Sequence, residues 1–74
     1  MIELDTRGLI CPLPVLKLQK LINSSNKTNK IKFITDDPAA IVDIPHFCNE
    51  QGHLVLETFR ENDYELFIIE SFSG

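Results

Sequence analysis

The chain has 74 residues and a mass of 8.4 kDa, which leaves room for one domain, residues 1–74, and no second core. Hydrophobic residues make up 43% and charged residues 24%, so the chain can build a core and is not a disordered segment. Eleven acidic residues against seven basic ones give a net charge of −4. That balance argues against nucleic-acid binding, which draws on clustered Lys and Arg. Two cysteines are too few for a secreted disulfide framework, and no apolar run approaches the roughly 18 residues of a membrane span. Met1 to Asp5 lacks the basic and apolar regions of a signal peptide. The expectation is a small, acidic, cytoplasmic domain with no membrane or nucleic-acid partner.

Ile2 to Asp5 alternates apolar and acidic residues and reads as a short strand with one buried face. Thr6-Arg7-Gly8 is a turn in which Gly8 supplies a positive φ. Cys11-Pro12-Leu13-Pro14 opens a helix that runs to Ile22, with Val15, Leu18, Leu21 and Ile22 on one side and Lys17, Gln19 and Lys20 elsewhere. The two prolines fit a first turn, whose N–H groups have no intrahelical acceptor. Cys11 then lies at or beside the N-cap, with Pro12 as the first helical residue. Asn23 to Asn26 forms a polar loop.

Lys30 to Thr35 reads as a second strand, stopped by Asp36-Asp37-Pro38. Ala39 to Gln51 carries Ala40, Ile41, Ile44, Phe47 and Cys48 on one helical stripe, and Gly52 fits a C′ stop. Pro45 interrupts this pattern. The expectation is a first turn ending near Val42 and a second helix restarting with Asp43 as its N-cap. Leu54 to Phe59 and Tyr64 to Ser71 are two further strands, joined by a hairpin at Glu61-Asn62-Asp63. The order β-α-β-α-β-β calls for a mixed sheet, with parallel pairing across the helices and an antiparallel final hairpin. Two helices with one apolar stripe each suffice to cover one sheet face.

Cys11 is the leading candidate for chemistry. A thiolate at a helix N-terminus is favoured by the helix dipole and by free N–H groups. The prolines supply no N–H, which leaves Leu13 as the nearest donor. Arg7 stands ready to add positive charge. The competing reading is a small apolar residue that caps the core, since free cysteine is often buried. Leu13 and Leu16 lie off the core stripe beside Lys17 and Lys20. They form either a protein-docking face around the thiol or a contact with the second helix. Cys48 reads as a buried, inert thiol. No C-x-x-C is present, and His46, His53 and the cysteines match no zinc spacing. Asp36-Asp37 reads as a turn and N-cap rather than a carboxylate pair. The three glycines are scattered and make no phosphate loop.

The segments Leu4-Asp5-x-Arg7-Gly8-Leu9-x-Cys11-Pro12-x-Pro14-Val15-Leu16, Asp36-Asp37-Pro38-Ala39, Asp43-Ile44-Pro45-x-Phe47-Cys48 and Gly52-His53 resemble the TusA/SirA/YedF family of small sulfur-carrier proteins. The resemblance runs from about Ile2 to Ile69, and Cys-Pro-x-Pro at a helix start is its most specific element. It implies an α+β two-layer βαβαββ sandwich: a four-stranded mixed sheet with two helices on one face, similar to the C-terminal domain of translation initiation factor three. It implies that Cys11 carries a persulfide, supported by Arg7, Pro12, Leu13 and Pro14. It also implies a cysteine desulfurase or similar donor and a downstream acceptor protein, as in tRNA thiolation, sulfur oxidation, or molybdenum-cofactor or selenium pathways. Members that thiolate tRNA often end in basic residues, whereas residues 68–74 hold no Lys or Arg. The chemistry is thiol exchange, which calls for an exposed, acidic thiol and no metal or organic cofactor. Two other classes stand beside it: an interaction or regulatory module in which Cys11 only packs, and a redox protein cycling Cys11 and Cys48.

Overall fold

The computed structural model describes residues 1–24 and 29–72. Six elements follow one another: β1 (Ile2–Asp5), α1 (Leu13–Asn23), β2 (Asn29–Thr35), α2 (Pro38–Gln51), β3 (Leu54–Arg60) and β4 (Glu65–Ser71). The polar loop expected after α1 falls in part on residues 25–28, outside the described residues.

The strands form one sheet in the order β1-β2-β4-β3. β1 pairs with β2 in parallel, Leu4 opposite Phe33, while β4 pairs antiparallel with both β2 and β3. This is the α+β, four-stranded mixed sheet that the sequence order implies. Side chains alternate across it. Ile31, Phe33, Phe67 and Ile69 are buried with Leu18 and Ile22 of α1 and Ala40, Ile44 and Cys48 of α2. Phe33 and Phe67 are direct cross-strand partners with ring centroids 6.3 Å apart. β3 is an edge strand, and only Val55 of it packs against the core; a register shift between Val55 and Glu57 returns Glu57 and Phe59 to the outer face.

α2 corrects one expectation. It runs unbroken from Pro38 to Gln51 through Pro45, with no restart at Asp43. Proline removes one helix hydrogen bond and crowds the preceding turn. Here Pro45 is exposed, outside the buried stripe of Ala40, Ile44 and Cys48, one per turn. Burial of that stripe outweighs the local cost, so the chain keeps a single axis. Gly52 closes α2 with φ 79°, and its N–H donates to the Cys48 carbonyl, as the C′ reading requires. His53 is buried beyond it, and its Nδ1 accepts the Phe72 N–H at 3.1 Å.

Candidate functional site around Cys11

The Cys11 loop starts where β1 ends. Thr6 is buried, and both its N–H and its hydroxyl donate to the Ile34 carbonyl, at 2.8 and 2.6 Å. Its own carbonyl accepts the Leu9 N–H at 3.1 Å, which closes the turn. Gly8 has φ 87°, a conformation strained for any residue with a Cβ. Its N–H donates to both oxygens of Asp36, at 3.1 and 3.2 Å.

Asp37 then fixes the cysteine. Its Oδ1 accepts the Ala39 N–H and caps α2, while its Oδ2 accepts the Cys11 N–H at 2.7 Å. One carboxylate thus serves a helix start and a loop 26 residues away. The expected N-cap role of Asp37 is correct, and its second bond is a tertiary link with no local signal in the sequence. The Cys11–Pro12 peptide bond is cis. Pro12 is the N-cap of α1 and has no side-chain capping bond; the helix begins at Leu13, not at Pro12. Pro14 is buried with Leu18 and Ile22, so it packs as well as opening the helix.

The Cys11 thiol is exposed, and its Sγ donates to Asp43 Oδ2 at 3.4 Å. That bond, followed by partial loss of hydration and the charges of Asp43 and Asp37, pushes the thiol above its ordinary range. The sequence pointed to a lowered thiol instead, and two of its supports go elsewhere. The Leu13 N–H, expected to face the sulfur, donates to the Ile10 carbonyl at 2.9 Å. The Arg7 guanidinium forks onto Asp5, with Nη2 2.7 Å from Oδ2, and stands 5.1 Å from the centre of the Tyr64 ring. Arg7 therefore braces the turn and does not supply charge to Cys11. Asp43, read from the sequence as a cap, is inside α2 and is the group that meets the sulfur.

The side chains off the core stripe of α1 face outward. Leu13 and Leu16 are 44% and 50% exposed, and Lys17 and Lys20 are exposed on the same helix. Ile10 and Val42, next in sequence to Cys11 and Asp43, are exposed by 71% and 70%. Cys48 is buried, and desolvation pushes its thiol up to about 11. His46 is exposed and within 3.4 Å of Glu50, while the His53 ring lies 6.0 Å from that of Phe47 and its backbone N–H donates to the Cys48 carbonyl at 2.8 Å.

Residues 2–70 match the family described as Sulfurtransferase TusA. The chain is 32% identical over 68 residues to the sulfur carrier protein TusA of Allochromatium vinosum, covering 92% of this chain and 90% of that protein. Its fold is similar to that of the SirA-like protein from Desulfitobacterium hafniense, with a TM-score of 0.84 over 99% of this chain and 100% of that one, at 19% identity. That last likeness is one of fold. The family match across almost the whole length, and the close relationship to a sulfur carrier at the sequence level, lead to one conclusion: the chain belongs to the TusA sulfurtransferase family.

Proposed function

We propose that residues 1–74 act as one cytoplasmic carrier that receives sulfur as a persulfide on Cys11 and passes it to an acceptor protein. The observation that carries this reading is the exposed Cys11 sulfur on a braced loop ahead of α1, in a chain of the TusA family. The donor is a cysteine desulfurase or another protein persulfide. The Cys11 sulfur attacks the donor's outer sulfur, and the donor thiolate leaves. The same exchange, with Cys11 as leaving group, delivers the cargo.

Exposure and anchoring support this role in different ways. Attack needs a sulfur that another protein can reach, and a persulfide in flight needs little motion of its carrier. Asp37 and Asp36 supply the second by bonding the Cys11 and Gly8 amides. Leu13, Leu16, Lys17 and Lys20 form the edge of the surface that meets the partner, apolar next to basic. Pro12 and Pro14 stiffen the start of α1, and Arg7 supports the loop through Asp5. Thiolate formation falls to the encounter with the partner, because the resting thiol is held neutral. Among the described residues no helix is long and apolar enough to cross a membrane, and two free thiols suit a reducing compartment.

Incubation with a sulfur-loaded cysteine desulfurase and intact mass spectrometry test the proposal. Wild type gains one sulfur atom that a reductant removes, and Cys11→Ala stays folded and gains none. Wild type left unmodified would favour the interaction module. An adduct that persists in Cys11→Ala would move the acceptor to Cys48.

A further inference from the structure

The groups facing the Cys11 sulfur are acidic. Asp43 accepts its S–H, and Asp37, which holds the Cys11 amide, adds a second negative charge. Both come from α2. On the other sides the nearest basic residue along the chain, Arg7, is taken by Asp5, and Lys17 and Lys20 extend from α1 into solvent. A site built only to make a thiolate would reverse these signs.

We infer that Asp43 biases the carrier toward its unloaded state, because its carboxylate accepts a hydrogen bond from the neutral Cys11 thiol and repels the anion of a loaded Cys11. This rests on the reading of Cys11 as the sulfur-bearing residue. The exchange is R–S–SH + Cys11–SH → R–SH + Cys11–S–SH. The donor's S–S bond breaks and a new one forms to Cys11 Sγ. The outer sulfur moves with its proton, and the Cys11 proton passes to the departing thiolate, with no net oxidation. A persulfide S–H is more acidic than a thiol S–H, so the loaded carrier is the more anionic of the two forms near neutrality. Loading therefore removes the only hydrogen atom that Sγ gave to Asp43 and sets a negative charge beside the carboxylate. A group that favours one state shifts an equilibrium by its differential interaction with the two. Asp43 raises the tendency of the loaded carrier to give up sulfur. In the empty carrier it also lowers the thiolate fraction open to stray oxidants.

Asp43→Asn keeps the size and one oxygen acceptor and removes the charge. Iodoacetamide alkylation of unloaded Cys11, followed across pH by mass spectrometry, reads the thiol itself. The variant's profile moves to lower pH, and its rate near neutrality rises by roughly three- to tenfold. Equilibration with a fixed ratio of glutathione persulfide to glutathione reads the loading. The ratio of loaded to empty carrier rises by about threefold or more in Asp43→Asn. Asp43→Glu, which retains the charge, returns both readouts toward wild type, and circular dichroism verifies the fold of each. Equal loading of wild type and Asp43→Asn, or coincident alkylation profiles, overturns this inference alone. Absence of sulfur on wild-type Cys11 overturns the carrier reading and this inference with it.

Discussion

The two cysteines are the same residue in opposite settings. Both thiols are raised above their ordinary range, Cys11 first by the hydrogen bond to Asp43, then by partial loss of hydration and nearby negative charge, Cys48 by desolvation in the core. The direction is shared and the consequence is not. A surface charge effect is undone by a cation from a partner or by screening, whereas burial is undone only by unfolding. Cys11 is thus held neutral in a way that a cation brought beside it can reverse. Cys48, at 1% exposure in the same buried cluster as Ile44, Phe33 and Phe67, is a core residue that happens to contain sulfur.

The largest contrast is in labelling. With excess iodoacetamide on the native protein, mass spectrometry is expected to find one modified thiol, Cys11. Cys48 reacts only through unfolded molecules, so its rate is lower by a factor on the order of 10³ or more. Comparable rates for the two would mean that α2 opens readily and that the comparison fails.

Serine substitution separates them by stability. Cys48→Ser places a hydroxyl in the core and is expected to cost roughly 1–3 kcal/mol in urea unfolding, without preventing sulfur loading. Cys11→Ser is expected to stay within about 0.5 kcal/mol of wild type and to abolish loading. A Cys48→Ser protein that is folded yet fails to load would point to a two-cysteine mechanism.

The third difference is one of alkaline stability. The unfolded chain ionises Cys48 near its ordinary value of 9.0, and the folded chain only near about 11. The folded-state pKa is raised, so the stabilisation is complete below 9.0, and it is lost as pH rises toward 11. Wild type should therefore lose more stability over that window than Cys48→Ala, read as the difference between their urea midpoints below and above it. Parallel curves for the two proteins would show that Cys48 is hydrated.

Much of this was legible in the residues. Period-2 and period-3.6 patterns are local and survive folding, so Ile2–Asp5, the α1 stripe and the burial of Cys48 follow from spacing. Gly8 and Gly52 take the positive φ that their turn positions demanded. Pro45 shows where local reasoning overreached. A proline reads as a break until the burial of Ala40, Ile44 and Cys48 is weighed against it, and that burial exists only once the sheet is present.

The sequence by itself determined that a cysteine would precede a proline-stiffened helix in an acidic βαβαββ chain, because composition, turn chemistry and periodicity act over a few residues; its exposure came only with the structure. Only the tertiary structure decided what that cysteine feels. Asp43 lies 32 residues from Cys11 and Asp37 lies 26, and α1 and α2 must pack on one sheet face before either carboxylate reaches it. Arg7, four residues away along the chain, belongs instead to Asp5. Electrostatic interactions depend on distance in space, and the fold brings the distant carboxylates close while it turns the neighbouring cation aside.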